Sequence, residues 1–321
     1  MSLIVNCLEK VHFLRVRATQ ISGTRVSFYE NLMLRLLLVC LLLYVAINQA
    51  AALTTTDDSG TQVEFATPAL RIISLAPNLT ELAYAAGMGK RMVAVSAYSD
   101  YPPPAKQLPQ VGDAFRLDWE RLMALKPDLV LAWGSGLSAR DRATLEKLKL
   151  KFLVLEPRSL DDIPKILRLL GKVAATDAVA EAAARAFEQQ RAQLEKKYKG
   201  GAAIRVYFQI AATPLLTIND EHIISDVLRL CGAQNVFADA PVLVPTISEE
   251  SLVKAQPQLL LGIAVTRTEE EETTHKWRRL PLAAVRQGRM GFVPPDIISR
   301  STPRILLGAE NICSQMAGMR N

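Results

Sequence analysis

Apolar and polar positions follow the same order twice along the chain. Leu117 to Leu131 reads LDWERLMALKPDLVL and Ile247 to Leu261 reads ISEESLVKAQPQLLL, at a constant offset of 130 residues. In each copy a glutamate, Glu120 or Glu250, stands seven residues before a proline, Pro127 or Pro257. The spacing between them predicts a short helix that proline forbids from continuing. The apolar run after each proline has the form of a buried parallel strand. A short helix delivering a strand, repeated once, predicts two lobes of similar construction.

The rest of the pattern agrees. In the first half, Arg71–Leu75 and Met92–Ser96 read as strands around a helix, with Asn78 placed to cap it and Glu81 three residues on. A loop with three prolines, Pro102 to Pro104, follows. After the first copy come a helix over 139–148, a strand over 151–155 and a helix over 160–170. The second half opens with a strand over 204–210 and a helix over 223–231 closed by Gly232. Beyond the second copy we expect a polar loop over 266–275, a strand over 290–293 and a closing helix over 304–319. Strict alternation of this kind builds parallel sheets. Asp177 to Tyr198 holds neither Gly nor Pro and is dominated by strong helix formers, so it predicts one uninterrupted helix. At 1.5 Å per residue such a helix runs about 30 Å and fits a rigid strut between the lobes. The fold class is therefore α/β, with two lobes, each a mainly parallel sheet flanked by helices, joined by one long rigid helix. The expected segments are 1–52 as a signal region, 53–69 as a flexible leader, 70–172 as the N-terminal lobe, 173–200 as the linking helix and 201–321 as the C-terminal lobe.

The signal region rests on Leu36–Ile47, an apolar run of twelve preceded by Arg35 and followed by small residues. Twelve residues are too few to span a bilayer, which takes about 20, and the pattern is that of a secretory signal cleaved near 51–53. Export changes two other readings. Of the net charge of +6, five cations against two acids in residues 1–52 supply +3, so the mature chain is only weakly basic and a nucleic-acid partner has no support. Cys7 and Cys40 fall in the removed part, leaving Cys231 and Cys313 as either a disulfide or two buried thiols.

Catalytic patterns are absent: the sequence has no HExxH, CxxC, GxSxG, phosphate-binding loop or GxGxxG after a strand. We expect neither an enzyme, nor a metal site, nor a cofactor. Aromatic placement stands out instead, because Tyr98, Tyr101, Phe115, Trp119 and Trp133 fall close together in a chain that is 6% aromatic. Tyr98 and Trp133 each follow a predicted strand, where parallel sheets meet ligands, and suit stacking on a large planar molecule. Trp119, inside the repeat helix, reads as core. Glu120 and Glu250, equivalent under the repeat, would form a symmetric acidic pair suited to a dimeric partner bearing arginines.

With RIISLAPNLTELAYAAG, VAVSAYSDYPP and LDWERLMALKPDLVLAWGSG, the chain resembles the cobalamin-binding members of the helical-backbone class of periplasmic substrate-binding proteins from about Arg71 to Cys313. The resemblance implies a corrin ring held between two lobes, with Tyr98, Phe115 and Trp133 facing it from the first, and Asp296, Ile297, Ile298, Ser299 and Arg300 from the second. It implies that Glu120 and Glu250 dock on the two permease subunits of an ABC importer with its ATPase, that Cys231 and Cys313 form a disulfide, and that a monomer works in the periplasm by capture and delivery. Cobalamin, with its cobalt, is then cargo rather than cofactor. Val244 stands where a tryptophan is usual, and Ile297-Ile298 replace an aromatic pair. The alternatives are a haem or siderophore binder of the same class, or a secreted sensor on the same scaffold.

Overall fold

The computed structural model describes residues 34, 35, 37, 38, 53–198, 200 and 202–319. The expected signal thus lies almost wholly outside the described residues; Leu34, Arg35, Leu37 and Leu38 are helical and exposed. Among the described residues no helix is long and apolar enough to cross a membrane. Leu53–Asn321 is a compact unit of its own.

Its strands are β1 (Leu53–Thr56), β2 (Gln62–Phe65), β3 (Ile72–Ser74), β4 (Met92–Val95), β5 (Leu129–Trp133), β6 (Phe152–Leu155), β7 (Ile204–Gln209), β8 (Ala211–Ala212), β9 (Leu215–Leu216), β10 (Ala233–Asn235), β11 (Leu259–Ile263) and β12 (Met290–Val293). Two four-stranded sheets have the orders β4-β3-β5-β6 and β10-β7-β11-β12, with every pairing in them parallel. With β3 matched to β7 and β5 to β11, the two orders are the same. The duplication read from one helix and strand therefore extends to a whole sheet.

The helices are α1 (Pro77–Ala85), α2 (Trp119–Ala124), α3 (Ala139–Lys147), α4 (Asp162–Val173), α5 (Asp177–Tyr198), α6 (Ile223–Leu230), α7 (Glu249–Ala255), α8 (Arg267–Arg278), α9 (Ala283–Arg286), α10 (Pro295–Ile298) and α11 (Ile305–Ala317). The repeat units α2-β5 and α7-β11 share their local bonding. Asp118 and Ser248 cap the two helices through the amides of Arg121 and Ser251. Leu122 and Leu252 are fully buried beneath them. Lys126 and Gln256 end them with left-handed φ of 47° and 43° before the prolines. Arg71 and Arg205 then donate to the terminal carbonyls of Leu125 and Ala255, satisfying acceptors that a helix end leaves unpaired.

Helix α5 is continuous, as its composition predicts. Ala180, Ala184, Phe187 and Leu194 form one buried stripe, packed on α1 and α4 of the first half and on α6 and α11 of the second. Arg168 of α4 holds Glu181 and Glu188, each at 2.7 Å, and Lys197 reaches Glu310 of α11 at 2.9 Å. One apolar cluster runs from Ile72 and Leu131 through Phe187 to Val206, Leu261 and Ile312. A continuous close-packed core resists large hinge motion.

Three expectations are corrected. The leader is not flexible from Leu53: β1 and β2 form an antiparallel hairpin, closed by Asp57 accepting from Ser59 and Thr61. Val63 and Phe65 are buried, and Asp57 and Asp58 bond Val154 beside β6, covering an otherwise open sheet edge. The polar segment 266–275 is helix α8. Thr266 caps it through Glu269, the clustered glutamates sit where the helix dipole favours negative charge, and Trp277 is carried into a second core where its Nε1 donates to Gln209 at 2.9 Å. Asn78 is not a cap either, because α1 begins at Pro77 with Ala76 in the capping position and no side-chain bond.

His222 caps α6 by accepting the Ile224 amide at Nδ1, 3.2 Å away. Burial lowers its pKa from 6.5 to about 4, since a charged ring loses solvation and a protonated Nδ1 cannot accept. Its contribution is whole above pH 6.5 and is lost as pH falls towards 4, by on the order of 2–3 kcal/mol. We expect His222→Asn, which keeps an N-cap, to flatten that part of the stability curve measured by denaturant unfolding at stepped pH; an unchanged slope would reject the assignment.

Candidate ligand-binding site

Because β3, β4 and β5 are parallel, Val95 and Trp133 end at the same sheet edge, two strand spacings or roughly 10 Å apart. The chain beyond β4 stays there. Val111 donates to Val95 and Ala97 donates to Gly112, which carries the turn at Asp113–Arg116 past the strand ends. Tyr98, Phe115 and Trp133 thus come to one edge with relative exposures of 79%, 96% and 39%.

Each ring has a specific support. Tyr98 has a left-handed φ of 63°, uncommon for a bulky residue. Phe115 rides on a turn in which Asp113 accepts from the amides of Phe115 and Arg116 at 2.8 and 2.9 Å; these donors hold the Asp113 carboxyl below its usual range. Trp133 donates from Nε1 to Glu156 at 3.2 Å, and Glu156 also accepts from Ser135. A side chain at Gly136 would come within 2.7 Å of the Trp133 ring, so a larger residue there would push the ring from its place. The amide of Glu156 donates to Asp58 at 2.6 Å, so the hairpin read as a leader buttresses Trp133.

The second half offers aliphatic side chains in the loops after its strands. Val242, Val244 and Val265 are exposed at 54%, 38% and 73%. Where β5 ends in Trp133, β11 ends in Gly262 and Ile263, and Trp277 stacks on Phe292 at 5.3 Å above Gly262; the aromatics here fill the core. The segment 296–300 is only partly available. Asp296 and Ser299 are exposed and Ile297 is half-buried. Ile298 is fully buried in the central apolar cluster, so it does not face a ligand as expected. Arg300 is engaged by Glu81 at 3.0 Å, Asp100 at 2.6 Å and Asp296 at 3.4 Å. Burial pushes the Asp100 carboxyl up, but the hydrogen bond and charge of Arg300 outweigh it and hold it below its usual value.

The sequence reading missed the hub of that cluster. Glu81, 3% exposed, accepts from Arg300, from Thr302 at 2.9 Å, and from Arg304 at 2.9 and 2.7 Å. Its one sequence signal is a lone acid in a helix rich in apolar residues, in LTELAYAAG. Glu120 and Glu250 are exposed in the first turns of α2 and α7, and each helix leads by one tight turn into the next strand, β5 or β11. Cys231 and Cys313 are joined as a disulfide. Among the described residues no group of three or more His, Cys, Asp or Glu is arranged to hold a metal.

Residues 72–296 match the periplasmic binding protein family. The chain belongs to that family. Periplasmic binding proteins are transport components without catalytic activity, in keeping with a site made of apolar rings and a salt-bridge cluster. The chain is 41% identical over 252 residues to the vitamin B12-binding protein of Pectobacterium carotovorum, across 78% of this chain and 89% of that one. It is 37% identical over 251 residues to the vitamin B12-binding protein of Vibrio cholerae, across 78% and 90%. A crystal structure of the periplasmic vitamin B12 binding protein of Vibrio cholerae matches with a TM-score of 0.71 at 35% identity, covering 78% of this chain and 97% of that one. A periplasmic heme-binding protein from Roseiflexus sp. RS-1, with a TM-score of 0.67 at 22% identity over 78% of this chain and 99% of that one, shares the fold.

Proposed function

We propose that this periplasmic binding protein captures cobalamin, or a related corrinoid, between two lobes, 70–172 and 201–321, linked by the helix within 173–200, and delivers it to an ABC importer. The observation that carries this is the exposed aromatic edge of Tyr98, Phe115 and Trp133 in a chain 41% identical to a vitamin B12-binding protein. Flat rings stack on a macrocycle and need no charge to do so. Asp296 and Ser299, exposed on the second half, supply polar contacts, and Val242, Val244 and Val265 an aliphatic wall.

In this account the chain acts in the periplasm as a monomer, exported by its N-terminal signal. Glu120 and Glu250 meet arginines on the two subunits of a permease dimer, whose ATPase drives transport. The reading is tested by titrating the purified mature chain with cobalamin, and Trp133 gives a residue-level check. We expect Trp133→Ala to weaken binding by about 2 kcal/mol, roughly thirtyfold, without lowering the melting temperature in proportion. Unchanged affinity would remove Trp133 from the site.

A further inference from the structure

The loop Tyr98–Tyr101 is restrained at every residue. Arg300 donates to the Tyr98 carbonyl at 3.3 Å and to Asp100 at 2.6 Å. The Ser99 hydroxyl, 5% exposed, lies 3.1 Å from Thr80 and 3.2 Å from Ser96. The Arg304 guanidinium sits 4.0 Å over the Tyr101 ring. The Tyr98 side chain is the more exposed of the loop's two rings, at 79% against 42% for Tyr101, and it projects from a backbone in the left-handed region. Such a conformation persists in a bulky residue only where its surroundings over-determine it.

Both arginines meet at one carboxylate. Glu81 binds Arg300 and Arg304 together; without it Arg300 would keep Asp100 and Asp296, whereas Arg304 would lose its carboxylate and the two guanidinium groups would repel each other in a partly buried place. We propose that Glu81 is a positioning residue: by anchoring Arg300 and Arg304 from the second half of the chain, it holds Tyr98–Tyr101 in the shape that presents the Tyr98 ring before any ligand arrives. This rests on the reading of Tyr98 as a ligand contact. The arginines and the loop come from different halves, so movement that parts the halves loosens the aromatic edge at the same time.

Two readouts on the full chain carrying Glu81→Gln test it. The first, hydrogen exchange without ligand, follows the amides of Ser99 and Asp100, which bond within the loop. They are expected to exchange at least tenfold faster than in the wild type while those of Ile73 and Val130 in the sheet keep their rates. Equal acceleration in loop and sheet, or none in the loop, would overturn the proposal. The second is cobalamin affinity, expected to fall at least tenfold at a temperature where the variant is fully folded; an unchanged affinity would also overturn it. If the wild type itself fails to bind cobalamin, the functional reading falls and the exchange arm still decides positioning. Should Glu81→Gln not fold, Arg304→Gln carries the same two measurements, with faster exchange in the loop and weaker binding expected.

Discussion

Changing Glu120 and Glu250 together to alanine is expected to leave cobalamin binding by the purified chain within about twofold of wild type while cutting permease-dependent uptake at least a hundredfold. Both glutamates are exposed in the first turns of α2 and α7, away from the buried Leu122 and Leu252 that hold those helices down. Each helix keeps its cap, Asp118 or Ser248, so the local fold does not depend on the acid. Removing one partner of a close interfacial charge pair costs about 2–5 kcal/mol. Two such losses on a two-fold partner exceed what transport tolerates, whereas either single change leaves an intermediate rate. Uptake in cells lacking the endogenous binding protein, with binding measured in parallel, gives the answer. Normal uptake by the double variant would remove both residues from the docking role.

Loss of the disulfide is expected to be the largest single effect on stability. Cys231 and Cys313 are 82 residues apart in sequence and both are buried, tying the end of α6 to α11 in the second half. Releasing a loop of that length restores chain entropy to the unfolded state worth about 4.5 kcal/mol. For a chain of this size that lowers the melting temperature by on the order of 10 °C. The double change Cys231→Ala and Cys313→Ala, melted beside the oxidised wild type, should show this drop and be indifferent to reductant. A drop of less than about 2 °C would mean the cross-link closes a loop already constrained by α5 and the common core.

What could be read from the sequence follows from how local each signal is. The duplicated unit, the strands and α5 were legible because apolar periodicity and helix propensity act over neighbouring residues. Tyr98 and Trp133 stood out because each falls at or just past the end of an apolar run that reads as a strand, whereas Phe115 stood out only through the clustering of aromatics and the family resemblance. Helix α8 was hidden by its composition: it buries Trp277 alone, so no apolar stripe reveals it, and its glutamates resemble a loop until Thr266 is seen as a cap. The β1–β2 hairpin was hidden because each strand has four residues, too few for alternation to register, and its partners lie near Val154. The Glu81 cluster was invisible for the same reason at longer range, since Thr302 and Arg304 lie 221 and 223 residues away in sequence.

The central claim is that the aromatic edge and its facing loops hold a corrinoid. Calorimetric titration of the purified mature chain with cobalamin, repeated with haem as competitor, tests it most directly. The account predicts one cobalamin per chain with a dissociation constant below about 1 μM, a shift in the visible absorption of the corrin, and no displacement by equimolar haem. Absence of heat and of a spectral shift with cobalamin, or stoichiometric binding of haem in its place, would contradict it.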